Sequence, residues 1–197
     1  MKKTFSFLVL MTTVLFLNAQ VNFGIKGGVN HNILRAKSPS SKLAVMGTGA
    51  HLGLVMDYSV NEKFSIQPNL LFQMKTVRQN DDASFSLYAV EIPVNFLYKT
   101  GGFFAGAGPN FSYGISAKSK EDGEDDEDLY EDPDGPGDAL LKRFEIGANF
   151  LMGYKFNSGF TLSAHYTPGI SNILNDAPDD NIYNTRVFGL SIGYMFK

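Results

Sequence analysis

From residue 20 onward, apolar and polar side chains alternate in eight separate stretches. A period of two belongs to a β-strand, whose successive side chains point to opposite faces. In the first stretch Phe23, Ile25, Gly27 and Val29 oppose Asn22, Lys26 and Asn30. In the second, Ala50, Leu52, Leu54 and Met56 oppose His51 and Asp57. The third sets Phe64, Ile66, Leu70, Phe72 and Met74 against Ser65, Gln67, Asn69, Gln73 and Lys75, and the fourth sets Tyr88 to Tyr98 against Glu91 and Asn95. The same reading holds around Phe103–Ile115, Phe144–Phe156, Phe160–Ile170 and Phe188–Phe196. Each stretch is about ten residues or slightly longer, enough for a tilted strand to cross a bilayer. The pattern predicts an all-β fold, an eight-stranded antiparallel up-and-down transmembrane β-barrel, whose closure removes unpaired edges.

Alternation alone does not say which face is outside. A soluble lipocalin-like barrel also alternates, with its apolar face around a greasy ligand. Three features favour lipid outside. The apolar rows carry no charge, whereas the opposite rows hold Lys26, Lys75, Glu91, Arg143, Glu145 and Lys155; a Lys or Arg at mid-depth on a lipid face costs roughly 2–4 kcal/mol. Aromatics gather at one end of the strands (Phe23, Tyr58, Phe64, Tyr98, Phe103, Tyr154, Phe156, Phe160, Tyr194, Phe196), as in an interfacial girdle. Connections alternate in length: short near Asn61, at Thr100-Gly101-Gly102 and at Asn157-Ser158-Gly159, longer and polar at about 34–43, 77–84, 117–141 and 172–181. Short periplasmic turns with longer external loops mark bacterial outer-membrane barrels. Pro68, Pro93, Pro109 and Pro168 fall inside the proposed strands and are expected at bulges or strand ends. Arg186 has lipid-facing parity at the external end of the last strand.

The first 19 residues read as an export signal. Lys2 and Lys3 precede an apolar run from Phe5 to Leu17, and Ala19 is placed at the cut. That run is shorter than the roughly 20 residues a spanning helix needs. The barrel domain then takes 20–197. With 0 Cys the chain has no disulfide, iron–sulfur cluster or thiol nucleophile. The net charge of −3 comes with no basic patch, so nucleic acid is not an expected partner.

Several fragments resemble the PorT-like outer-membrane β-barrel domain common in Bacteroidetes. They are Val90-Glu91-Ile92-Pro93-Val94 leading to Leu97-Tyr98-Lys99, Phe103 to Pro109, Phe144-Glu145-Ile146-Gly147, Tyr166 to Ile173, and the ending Gly193-Tyr194-Met195-Phe196-Lys197. The similarity covers nearly the whole chain after residue 19 and implies a small OmpX-type barrel in the outer membrane without catalytic residues. One branch of the family is linked to type IX secretion; this chain is short for that branch. Tyr194 and Phe196 fit the C-terminal aromatic signal read by barrel-insertion machinery, although Lys197 follows them.

Chemistry is sparse. Lys26, Lys75, Glu91, Arg143, Glu145 and Lys155 are expected in the lumen, with His51 and His165 of the same parity. An eight-stranded interior is just wide enough for side chains, so these charges must pair. They form either an ionic plug or a narrow gated pore in which Glu91 or Glu145 switches partners. His31, His51 and His165 lack metal-ligand spacing, and no Gly-x-Ser-x-Gly nucleophile motif occurs. The external loop 117–141 is strongly acidic from Glu121 to Asp138, as a solvated unfolded loop would be. Asp132, Asp134 and Asp138 could give weak Ca²⁺ binding, and divalent ions could bridge the loop to lipopolysaccharide; no other cofactor is expected. The leading expectation is a non-catalytic barrel, not an enzyme, with a structural or surface-interaction role. The alternatives are a narrow pore for ions or small solutes, an accessory of type IX secretion, and a soluble calycin-like lipid carrier.

Overall fold

The structure is a computed structural model that describes residues 20–37, 42–78, 83–121, 127, 128, 130, 141–175 and 181–196. Its strands are β1 (Gln20–Lys37), β2 (Lys42–Ser59), β3 (Phe64–Arg78), β4 (Ala83–Thr100), β5 (Phe103–Glu121), β6 (Glu127–Asp128), β7 (Phe144–Lys155), β8 (Phe160–Pro168) and β9 (Ile182–Met195). β6 is a two-residue strand laid against β5. The other eight run in the order β4-β3-β2-β1-β9-β8-β7-β5, and β4 also pairs with β5, which closes the barrel. All pairings are antiparallel. The expected eight-stranded all-β barrel is the fold.

The uncharged rows face outward. Leu54 is 58% exposed and Leu190 64%, while Lys26, Lys75, Glu91 and Asn95 are buried inside. A greasy guest in the lumen would require the reverse, so the soluble-carrier arrangement is excluded. Outward aromatics form edge-to-face contacts along the periplasmic rim: Phe64–Tyr98, Phe103–Tyr154, Tyr154–Phe156, Phe160–Tyr194 and Tyr194–Phe196. A second group lies farther toward the external side, with Phe72 stacked on Tyr88 and Tyr166 between Phe150 and Phe188.

Turn chemistry matches the short connections. Gly101 and Gly102, at φ 55° and 89°, join the paired residues Thr100 and Phe103. Positive φ at both positions matches the right-handed twist of the flanking strands, and glycine reaches it without strain. At the β2–β3 turn the Asn61 side-chain oxygen accepts from the backbone N–H groups of Lys63 and Phe64.

Two expectations need correction. Four strands reach 18 or 19 residues instead of about ten, and strand runs into the presumed loops from both sides, over 34–37 and 42–43 and over 77–78 and 83–84. Polar residues there do not end the ladder, because backbone pairing continues wherever the neighbouring strand supplies partners. The prolines also behave differently. Pro68, Pro93 and Pro109 lie within strands whose register is unchanged on either side of them, and only Pro168 ends one. The β-bulge lies elsewhere: Ala89 faces Gly114 and Tyr88 faces Ser116, so Ile115 is the extra residue. The bulge reverses parity beyond it and turns Ala117 inward, where it is fully buried. The lumen also holds apolar side chains: Val55, Leu71, Leu97, Leu151, Val187 and Met195 are buried with the charged groups.

Glycines make room for these side chains. Gly106 pairs with Leu97 on one side and Leu151 on the other, and Gly189 separates His165 from Asn30. A Cβ on Gly189 would overlap the His165 ring.

Candidate functional site

The centre of the lumen is one connected chain of polar groups. Lys75 on β3 and Glu91 on β4 stand on neighbouring strands but four residues out of register, Lys75 facing Leu87 and Glu91 facing Leu71, and the long lysine side chain spans the offset to place Nζ 2.7 Å from Glu91 Oε1 with side chains 6% and 2% exposed. The second carboxylate oxygen accepts from Gln73 Nε2 at 2.7 Å. Gln73 Oε1 then accepts from Asn30 Nδ2 at 2.6 Å, Asn30 Oδ1 lies 2.8 Å from His51 Nδ1, and His51 Nε2 lies 2.8 Å from Ser191 Oγ. The carboxylate sets the direction of the chain. Glu91 can only accept from Gln73, so Gln73 must accept from Asn30, and Asn30 from His51 Nδ1–H. Five strands (β1, β2, β3, β4 and β9) and both signs of charge are thereby tied through side chains alone. His165 meets His51 edge-to-face at 5.3 Å.

A second group joins Thr167, Asn149 and Asn95: Thr167 Oγ1 donates to Asn149 Oδ1 at 2.6 Å, and Asn149 Nδ2 to Asn95 Oδ1 at 2.7 Å. A third stands at the periplasmic mouth. Lys99 Nζ lies 2.7 Å from Asp57 Oδ1 and donates to Ser59 Oγ at 3.3 Å, while Gln67 Nε2 donates to Asp57 Oδ2 at 3.3 Å.

Of the six charges expected in the lumen, the structure pairs only Lys75 with Glu91. Glu145 accepts instead from Thr185 Oγ1 at 2.8 Å. Lys26 is buried on the periplasmic side of that pair, and Lys155 is exposed at the periplasmic end of β7. Arg143 leaves the network. It sits where β7 begins at the external mouth and donates to the carbonyls of Ile115 at 3.0 Å, Tyr130 at 3.2 Å and Gly114 at 3.4 Å. Strand parity puts it inside, but its height along the barrel brings it to the Gly114 and Ile115 carbonyls just past the end of the β5–β7 pairing at Tyr113 and Phe144. Lys99, Gln73 and Asn30 complete the clusters and were not singled out from the sequence.

Arg143 also holds a plug. Its guanidinium lies 4.9 Å from the centre of the Tyr130 ring. Tyr130 packs with Ala117 and Leu141, flanked by Leu87 and Leu174, in a buried apolar cluster across the external mouth. A Cβ at Gly114 would overlap the Tyr130 ring, so the glycine is the seat of the plug. The acidic loop is therefore fastened at Tyr130. Asp132, Asp134 and Asp138 lie outside the described residues, as does the signal segment 1–19. Among the described residues no three metal-ligating side chains come together. Below the central network, the periplasmic mouth opens into a cavity of about 470 Å³ that includes Lys26, Asp57, Lys99 and Lys155.

A family model for the outer membrane protein beta-barrel domain matches residues 18–175. The chain belongs to that family. This places it in the bacterial outer membrane. Among solved structures, Neisserial surface protein A (NspA) is similar with a TM-score of 0.59 and 14% identity, covering 90% of this chain and 99% of that one. Ail, the attachment invasion locus protein of Yersinia pestis, in complex with the heparin analogue sucrose octasulfate, has a TM-score of 0.46 and 14% identity over 89% of this chain and 99% of its own. OprG of Pseudomonas aeruginosa has a TM-score of 0.43 and 14% identity over 89% and 95%. At these identities the likeness to NspA speaks for the fold. No curated protein matches the chain in sequence.

Proposed function

We infer that this barrel is a non-catalytic surface-interaction or structural protein of the outer membrane, and that its lumen does not conduct. The observation that carries this reading is obstruction at two levels: the Tyr130–Leu141–Ala117 cluster across the external mouth, and the buried Lys75–Glu91 pair with its hydrogen-bonded chain below it. A surface role is supported by the strands that continue past the outward polar pair His31 and Thr48. There the β1–β2 hairpin carries Met46 and Leu43, 58% and 63% exposed, beyond the apolar band. Export by the leader 1–19 and the PorT-like subtype belong to the same reading, as do insertion through Tyr194 and Phe196 and contact between the acidic loop and lipopolysaccharide through divalent ions.

The pore reading has one observation in its favour, the open periplasmic cavity. Conduction would need both obstructions to move. Purified protein in planar bilayers should show no single-channel steps. Reproducible steps that change in Glu91→Gln would defeat the closed-lumen reading. Crosslinking and pull-down from intact outer membranes then identify the surface partner, and a secretion-complex partner would favour the type IX accessory role over a free-standing one.

A further inference from the structure

The periplasmic cavity has a cationic floor without a counter-ion. Lys26 lines it and is 7% exposed. Among the described residues no hydrogen bond or ion pair falls on its amine. Glu91 acts on it only through space, because one oxygen of that carboxylate is bonded to Lys75 and the other to Gln73. The other charges around the cavity do not satisfy it. Asp57 is engaged by Lys99 at 2.7 Å, Glu62 stands on the exposed β2–β3 turn, and Lys155 adds a further positive charge at the rim. A buried ammonium without a partner is costly, and an anion that reaches it relieves that cost.

The wall beside Lys26 is built to receive such a group. In the strand register Gly193 pairs with Lys26 on β1 and with Thr161 on β8. Gly193 has no side chain, so its two neighbours close over its backbone and the Thr161 hydroxyl comes beside the stem of Lys26; a Cβ there would lie only 2.6 Å from Thr161 Oγ1 and 3.2 Å from Lys26 Cβ. Thr161 and Ser163 line the same cavity and can donate hydroxyl hydrogen bonds, and Phe104 and Met195 supply apolar surface. A volume of about 470 Å³ suits a small organic molecule.

We propose that the periplasmic cavity is a binding site for a small organic anion, whose carboxylate or phosphate group accepts from Lys26 and Thr161 on the cavity side, with its apolar part against Phe104 and Met195. The site faces the periplasm and is independent of the surface role at the other end of the barrel. Its anion comes either from a soluble periplasmic compound or from the headgroup of an anionic lipid in the inner leaflet.

The methyl group of Met195 reports on the site, and that of Met152, 63% exposed on the lipid face, is the control. The protein is labelled with ¹³C-methyl methionine, placed in zwitterionic nanodiscs and titrated with benzoate. Saturable shifts are expected at Met195 and not at Met152. Benzamide, the neutral analogue, should leave Met195 unmoved. Lys26→Met should weaken benzoate by about tenfold or more, since a charge-assisted bond is lost. Lys26→Arg should bind within about threefold of the parent, because the charge and donors remain, and Thr161→Val should weaken binding by about threefold, the value of one neutral hydrogen bond. Unchanged Met152 signals in each variant establish that the barrel has folded. Nanodiscs containing phosphatidylglycerol separate the sources: competition with benzoate assigns the site to a lipid headgroup, and undiminished benzoate binding assigns it to a soluble anion. Equal responses to benzamide and benzoate, or full benzoate affinity in Lys26→Met, would overturn the proposal.

Discussion

At the external mouth Tyr130, Leu141 and Ala117 pack into an apolar cluster that Arg143 holds down through three carbonyl groups. At the periplasmic mouth Lys99, Asp57 and Lys155 stand around open space. The same strands build both ends, and the difference comes from what joins them. The short periplasmic turns have no residues to spare for the lumen, so that end stays open and charged. The long external link returns Tyr130 to the mouth and covers it. Between the two lies the Lys75–Glu91 pair, buried from both sides.

The contrast can be broken from the centre outward. Lys75→Met leaves Glu91 buried without its cation and should destabilise the barrel by about 3–5 kcal/mol, measured by denaturant unfolding in vesicles. The same substitution in a Glu91→Gln background should cost much less, and equal costs in the two backgrounds would show that the pair does not act as a unit. At the external mouth, Tyr130→Ala should release the plug at a cost of about 3 kcal/mol, a large-to-small change in a packed cluster. Opening would then be local, so trypsin cleavage at Lys142 on outward-facing proteoliposomes should accelerate by roughly a hundredfold. Arg143→Met keeps the cluster but removes its clamp. A loss of about 1–2 kcal/mol and a roughly tenfold rise in the same cleavage are expected; cleavage at the parent rate would mean that the apolar cluster holds the loop unaided. The smallest effect belongs to the periplasmic rim. Lys99 and Asp57 are also 2.7 Å apart, but their side chains are 27% and 11% exposed. Solvent screening limits Lys99→Met to less than about 1 kcal/mol, shrinking further in high salt. A loss as large as that of Lys75→Met would mean that the periplasmic mouth is as closed to water as the centre.

Much of the architecture was legible along the chain because it depends on local period. Phe23, Leu54, Phe72 and Leu190 face outward where alternation places them, and Gly101-Gly102 turns where two flexible residues separate two apolar runs. The site was less legible. Parity assigned Arg143 to the lumen but said nothing of its height, and at the external mouth carbonyl oxygens were nearer than any carboxylate. The bulge at Ile115 follows Gly114, but β5 also carries Gly106 and Gly108, where the register runs on unchanged, so a glycine there did not mark where Ala117 turns inward. The Leu129-Tyr130 pair amid acidic residues was the one available hint of a plug, since a large aromatic in a fully solvated loop has no partner.

The sequence by itself determined the strand number, the uncharged outer face and the positions of the tight turns. Each of these follows from interactions between residues close in the chain and from the solvent each face must meet. Only the tertiary structure decided that Glu91 bonds Lys75 and Gln73 while Lys26 faces a cavity, and that one mouth is plugged and the other open. Those outcomes depend on strand register and on the closing of β4 against β5, which bring together groups far apart in the chain at heights that no local period encodes.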